Sequence, residues 1–533
     1  MRSRRGGLTW QVSAARTHAV QQLAACSVGM ARITDLEVSV DRWTPPLDGW
    51  VGRPGIAGIT ELEINRRGTG ARVRIATALP LDAAVMLAAA VRCLRPVATG
   101  DVGPLLTFAP GLTVDAACLA HRIVDVLTPD EKRDPHVRRC DTLVVGSAAT
   151  ASEVERACTV VVGLPAWLRD GVPMDVHVDP AVHRPVGRRS TGGTVAVAAT
   201  TGDLLAVSGP DVSISITGQV SPSDVRALRG TLAIVSDDDI PVRLLRQLTA
   251  CGVPVRSSSV ALPDPEDALA WQAWSVHERR HSLRQFGPTA ALNAWPSVSV
   301  VLATNRPDHL EHALRQVAGL RYPHLEIVIG AHGDAVDPAR VRDLAQDVPH
   351  PVTVVPVDAS RTLGEALQAC SDRAEGALIT KMDDDDVYGP EHVWDLVLAR
   401  EYSGAQVVGK ALDWIYVESQ DATVFRPTYP AERYADFVAG GTILISRADL
   451  LEVGGWRPVP KSVDRALLDR VLADGGLVYR THGLGYVYVR HSAGHTATVK
   501  DEHFLTKVTA RHEGLIRHEA FGTQDGLTGW FGA

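Results

Sequence analysis

The alternation of apolar and polar positions is sharpest after residue 295. Val298-Ser-Val-Val-Leu-Ala303 is a nearly continuous apolar run, the pattern of a strand buried on both faces. After the turn Thr304-Asn-Arg-Pro-Asp308, residues Leu310, Ala313, Leu314 and Val317 recur at helical spacing and predict an amphipathic helix. Leu325 to Gly330 predicts the next strand, which makes a parallel strand–helix–strand crossover. Strands are expected again at Val352 to Val357 and Ala377 to Met382, with a helix over Gly364 to Arg373 between them. The expected structure is an open parallel α/β sheet, whose ligands bind beyond the carboxyl ends of the strands.

Before residue 295 the pattern is also α/β. Residues 30–190 mix short apolar runs, such as Thr142 to Gly146 and Thr159 to Gly163, with helical stretches at Leu81 to Leu94 and Val114 to Leu127. Arg184 to Gly193, rich in Arg, Ser and Gly, is the expected linker. Residues 191–290 predict a smaller α/β unit, with strands at Thr194 to Ala199, Val212 to Thr217, Leu232 to Val235 and Val253 to Arg256. Helices are expected there at Ser221 to Leu228 and Pro241 to Ala250, then a connecting helix over Pro265 to Gln285. Residues 1–29 read as a ragged, possibly disordered leader with Met30 as an alternative start, and residues 516–533 as a tail. The fold class is therefore α/β throughout, a Rossmann-like amino-terminal region preceding an open twisted sheet flanked by helices over 296–515.

Composition narrows the function. A chain of 533 residues is long enough for about three or four units of ordinary domain size. With 45% hydrophobic and 22% charged residues, a disordered, collagen-like or coiled-coil chain is excluded. A net charge of -8 argues against nucleic acid as a partner, since phosphate neutralisation needs a basic face. The 7 cysteines are scattered without a C-x-x-C pair and read as reduced thiols of a cytoplasmic protein. No run reaches the roughly 18 apolar residues of a membrane span, so association with the inner face of a membrane would be peripheral at most. Arg outnumbering Lys and abundant Ala suggest a high-GC bacterium, with polysaccharide or cell-wall assembly as a natural role.

The candidate chemistry sits after the strand Ala377 to Met382, where Asp383-Asp-Asp-Asp386 precedes Val387-Tyr-Gly-Pro390 and a helix. Four adjacent carboxylates at a buried strand end repel one another unless a cation compensates, and Mg2+ or Mn2+ would do so. A solvated acidic turn capping the next helix is the alternative reading.

With these residues in view, the segment from Pro296 to Gly514 resembles the family 2 glycosyltransferases of GT-A fold. Asp383-x-Asp385 occupies the place of that family's D-x-D motif. Val298 to Arg306 is similar to its first strand and nucleotide-binding turn, and Arg361-Thr-Leu-Gly364 to the Arg-and-Gly element before the D-x-D strand. Gly440-Gly441 resembles the glycine loop near donor and acceptor, and Gly454-Gly455-Trp456 followed by Val463-Asp464 resembles the G-G-[FW] and E-D elements, with Val463 in place of the usual Glu. The resemblance implies a metal-dependent transfer of a sugar from a nucleotide-diphosphate sugar, a UDP-sugar first, to a hydroxyl of a glycan or lipid-linked acceptor, with inversion. It implies Asp464 as general base. It implies Thr304, Asn305, Arg306, Arg361, Asp383, Asp384, Gly440 and Gly441 at the nucleotide and donor, and Asp383, Asp385 and either His491 or His495 at the metal. The second strand ends in Gly330-Ala-His-Gly-Asp334 rather than Asp-Asp-Gly-Ser, which leaves the base open and Asp334 as a shifted substitute. Alternatives are a nucleotidyltransferase of similar fold and a catalytically silent glycan-binding scaffold.

In the amino-terminal half, Val178-Asp-Pro180 with Arg184-Pro185, and Leu244 to Ser257 with Cys251-Gly-Val-Pro254, resemble the donor half of GT-B glycosyltransferases. No Glu-x7-Glu motif accompanies them, so a degenerate, non-catalytic region that positions the acceptor or holds partners is expected. Asp237-Asp-Asp239 lacks the flanking elements of the other acidic site.

Overall fold

The computed structural model describes residues 2–6, 9–27, 31–43, 59–94, 193–286 and 295–523 with short gaps, the longest at 492–500, and three strands between 106 and 162. The expected helix at 114–127, the segment 178–185, most of the linker and His495 lie outside the described residues. Two compact units divide the chain, the first running to Ala294 and including 401–405 and 471–477, the second formed by the remainder from Trp295.

The first unit opens on a sheet of order β1-β2-β3-β5-β4, built from β1 (Arg2–Gly6), β2 (Thr9–Ala14), β3 (Arg32–Val40), β4 (Ile59–Arg67) and β5 (Gly70–Asp82). The leader reading of residues 1–29 is corrected here. β2 alternates strictly, burying Trp10, Val12 and Ala14, and pairs in parallel with β3, while α1 (Thr17–Ser27) packs against the apolar α2 (Ala83–Cys93). A polar-looking start thus conceals a strand whose every second residue is core. Three short parallel strands follow, β6 (Leu106–Phe108), β7 (Cys140–Val145) and β8 (Ala157–Val162).

The next sheet, β11-β10-β9-β12-β13, is α/β with mixed strand directions. Here β9 (Thr194–Thr201), β10 (Leu204–Gly209) and β11 (Val212–Thr217) form an antiparallel meander, and β12 (Thr231–Val235) and β13 (Val255–Arg256) run parallel to β9. The helices α3 (Pro222–Ala227), α4 (Val242–Ala250) and α5 (Ala268–Phe286) stand near their expected positions. Asp237 receives bonds from the Ser257 hydroxyl at 2.7 Å and the Ser258 amide at 2.9 Å, so it ties two loops together.

The second unit is built on an eight-stranded sheet of order β16-β15-β14-β17-β23-β19-β24-β22. Its parallel half comprises β14 (Val298–Thr304), β15 (Leu325–His332), β16 (Val352–Val357) and β17 (Leu378–Lys381), joined through α6 (Leu310–Ala318), α7 (Pro338–Leu344) and α8 (Leu363–Arg373). Thr362 and Glu365 form a capping box that starts α8 where the sequence places it. Five further elements are β18 (Val387–Tyr388), α9 (His392–Ser403), β19 (Val407–Lys410), β20 (Trp414–Val417) and β21 (Ala422–Phe425). They are followed by β22 (Arg433–Tyr434), β23 (Leu444–Ser446), α10 (Arg447–Glu452), α11 (Val463–Ala473), β24 (Val478–Thr481), β25 (Tyr486–Arg490), α12 (Asp501–Phe504) and β26 (Ala510–Glu513). β23 pairs antiparallel with both β17 and β19, so the sheet is mixed beyond β17. A second sheet has the order β18-β25-β20-β21-β26, its last strand lying before the expected tail at 516–533.

Close backbone approach explains Gly364, where a Cβ would lie 1.6 Å from the Arg457 carbonyl oxygen. Gly319, in ordinary van der Waals surroundings, makes the contrast. Gly364→Ala is expected to lose about 1–3 kcal/mol by overpacking, and Gly319→Ala to stay within about 0.5 kcal/mol of wild type. Urea unfolding followed by tryptophan fluorescence measures both, and equal midpoints would contradict the packing assignment.

Candidate active site

β17 lies between β14 and β23, with the Met382 amide donating to Val301 O at 3.1 Å and the Lys381 amide to Ile443 O at 2.9 Å. Its acidic extension therefore emerges between the end of β14, at Thr304, and the turn Gly440–Thr442 that leads into β23. Tyr388 pins this junction: its hydroxyl accepts from the Asp383 amide at 2.8 Å and donates to Gly441 O at 2.9 Å.

The four aspartates point to different partners. Asp383 takes the Lys381 ammonium at 2.6 Å. Asp384, buried, accepts from the Thr304 hydroxyl and from the Arg306 guanidinium, whose Nε lies at 3.1 Å. Asp385 takes the other arm of Arg306 at 2.8 Å. Asp386 is sealed inside, accepting from the Tyr486 hydroxyl at 2.7 Å and the Val489 amide at 2.9 Å. Mutual repulsion, from which a metal is inferred in the sequence, is thus largely answered by Arg306, Lys381 and hydrogen-bond donors. Burial pushes the Asp383 carboxyl up to about 6, against the pull of Lys381 and with Asp464 and Asp385 adding to the rise. Burial likewise raises Asp386 well above the carboxylate range. For Asp385 burial acts upward too, but Arg306 outweighs it and the net shift is downward.

Asp464 stands in the first turn of α11. Lys381 reaches its Oδ1 at 3.1 Å, and a Cβ at Gly440 would meet its Oδ2 at 2.2 Å. A Cβ at Gly441 would lie 2.7 Å from both Asp383 Oδ2 and the Tyr388 hydroxyl, so side-chain-free residues are what let the carboxylates close in. The glycine turn is held from β19. The Lys410 amide donates to Thr442 Oγ1 at 2.8 Å, Thr442 donates to Ala439 O at 2.7 Å, and the buried Lys410 ammonium pairs with Asp395 at 2.7 Å.

One group of the described residues has metal-ligand spacing: His309, Asp385 and His491, whose ligand atoms all lie within 4.8 Å of one another. Their chemistry fits a divalent cation, since two imidazoles and a carboxylate are a common donor set. Burial, with Arg306 adding, holds the His309 imidazole below its ordinary value, which favours the neutral, ligating form.

The structure thus brings together Thr304, Arg306, Asp383, Asp384, Asp385, Gly440, Gly441, Asp464 and His491. Asp383 stands with Lys381 and Asp464, outside the His309–Asp385–His491 trio. Arg361 does not point at the acids; its guanidinium is exposed and pairs with Glu365 at 2.7 Å in the first turn of α8. Asn305 and Asp334 are exposed. Two functional candidates escape the sequence reading. Lys381 is a buried charged residue at the end of the short strand β17, which is itself a signal. His309 sits just past the β14 turn, and only the third dimension shows that it meets His491.

Residues 299–448 match the model of the family described as Glycosyl transferase family 2. The chain therefore carries a family 2 glycosyltransferase domain, of GT-A fold, in its second unit, and both Asp464 and His491 lie beyond the matched residues. No curated protein matches the chain. Among solved structures it is similar to a mannosyltransferase, PcManGT from Pyrobaculum calidifontis in complex with GDP-Man and Mn2+. That match has 20% identity and a TM-score of 0.29, over 37% of this chain and 58% of that one. It is also similar to S. aureus TarS 1-349 in complex with UDP-GlcNAc, at 15% identity and a TM-score of 0.29, over 39% of this chain and 63% of that one. The chain spans about three-fifths of the length of these two structures.

Because Asp383 in the fold takes its proton near pH 6, above the roughly 3.9 of an unfolded aspartate, the folded state binds more protons between those values. Its contribution therefore lowers stability as pH rises from about 4 through 6. Asp383→Asn is expected to flatten the fall in melting temperature across that window, and an unchanged profile would contradict the assigned environment.

Proposed function

We propose that the second unit transfers a sugar from a nucleotide-diphosphate sugar to a hydroxyl of a glycan or lipid-linked acceptor, inverting the anomeric carbon. The observation that carries this reading is the convergence of Asp383, within the family 2 match, and Asp464, beyond it, on one lysine at the carboxyl end of the sheet's parallel half. Asp464 takes the proton of the acceptor hydroxyl, whose oxygen forms the new bond to the anomeric carbon as the bond to the diphosphate breaks on the opposite face. Arg306, with Thr304 and Asp384, forms the wall on the nucleotide side. Asp385, His309 and His491 would hold a divalent cation, which supplies neutralisation of the charge that develops on the departing diphosphate. Mixed imidazole and carboxylate donors suit Mn2+ better than Mg2+, which holds mainly to oxygen. A UDP-sugar is the first donor to test. No helix among the described residues is long and apolar enough to cross a membrane.

Two experiments test this. A Mn2+ titration is expected to raise the melting temperature of the wild-type chain and not that of His309→Ala or Asp385→Asn, because a ligand of the native state alone stabilises it; equal rises in all three would place the cation elsewhere. Donor turnover with Mn2+ is expected to release nucleoside diphosphate and no pyrophosphate. Asp464→Asn should lower kcat by about 100- to 10,000-fold, and a variant with wild-type kcat would remove Asp464 from the chemistry.

A further inference from the structure

We infer that Lys381 is a positioning residue of the transfer step, the strut that sets the carboxylate of Asp464 against that of Asp383. The inference rests on the transferase reading above.

An ammonium has three N–H donors, and three oxygens surround it here, two as hydrogen-bond acceptors and that of Asp464 as an ion-pair partner. They are Asp383 Oδ1 at 2.6 Å, Asp464 Oδ1 at 3.1 Å and Gly440 O at 3.4 Å. The lysine side chain is 4% exposed, whereas those of Asp383 and Asp464 are 35% and 30% exposed. Substrate can therefore meet the two carboxylates but not the amine beneath them, which makes Lys381 a support and not a reacting group. Its burial is tolerated because the two carboxylates outweigh the cost of desolvating the ammonium and hold it protonated, above the ordinary lysine value. The strut is itself fixed, since the Lys381 amide donates to Ile443 O, between the glycine turn and β23. Gly440 leaves room for the other oxygen, since a Cβ there would lie 2.2 Å from Asp464 Oδ2. Without the ammonium, two like charges would face each other with nothing between them, and Asp464 would turn away from the anomeric carbon.

The test follows nucleoside diphosphate release with Mn2+ and water as acceptor, from a panel that includes UDP-N-acetylglucosamine and GDP-mannose. Full-length wild type, Lys381→Met and Gly440→Ala are compared. Both variants are expected to lose about 100-fold in kcat while the donor KM stays within about 3-fold, the effect of misplacing a reacting group by about 1 Å. Both keep the Mn2+-dependent rise in melting temperature, because neither touches His309, Asp385 or His491. A Lys381→Met kcat within 3-fold of wild type, or a loss confined to KM, overturns the inference. If Lys381→Met does not fold, wild-type kcat in Gly440→Ala overturns it. A wild-type chain that turns over no donor sinks the transferase reading and this inference with it, whereas active wild type beside unaffected variants sinks the inference alone.

Discussion

Carboxylates crowded at the end of one buried strand repel one another by several kcal/mol at low effective dielectric, and the second unit is organised around relieving that repulsion. Each of the four aspartates turns to a different element. Asp383 meets Lys381 of the same strand, Asp384 and Asp385 share the Arg306 fork, and Asp386 is enclosed by β25 through Tyr486 and Val489. Arg306 satisfies two acids at once because a planar guanidinium offers donors in two directions, which a lysine in that place would not. The sheet order follows from the same need, since β14 must lie on one side of β17 to bring Arg306 and β23 on the other to bring the glycine turn.

The parallel half of the second unit's sheet was legible because its central strands are buried on both faces and α6 is strongly amphipathic. Val298 to Ala303 is a nearly continuous apolar run of strand length, and Leu310 to Val317 carries the helical period. The strands β20 to β22 are two to four residues long; β20 and β21 pair as a hairpin, but β20 also pairs with β25 and β22 with β24, farther along the chain, so local pattern says little about where they sit. In the first unit, β10 was missed because Leu204 to Gly209 is brief and mixed, and β2 because its six alternating residues follow a basic start that reads as a leader.

At the site, the acidic run, the glycine pair and Asp464 were visible as residue types in order. What the chain order could not convey is which acid does what. Asp383 and Asp385, two residues apart on an extension of one strand, face different groups: one a buried lysine and the base candidate, the other a pair of histidines 182 residues apart in the chain (491 − 309). Arg361, which carries a family-like motif, instead serves the capping of α8 through Glu365.

The claim on which the enzymatic account turns is that Asp385 and two histidines form a cation seat. Anomalous X-ray diffraction at the manganese edge, from crystals grown with Mn2+ and a nucleoside diphosphate, tests it most directly. The account predicts one strong peak among His309, Asp385 and His491 with the diphosphate against it; a peak only elsewhere, with Asp385 still held by Arg306 alone, would contradict it.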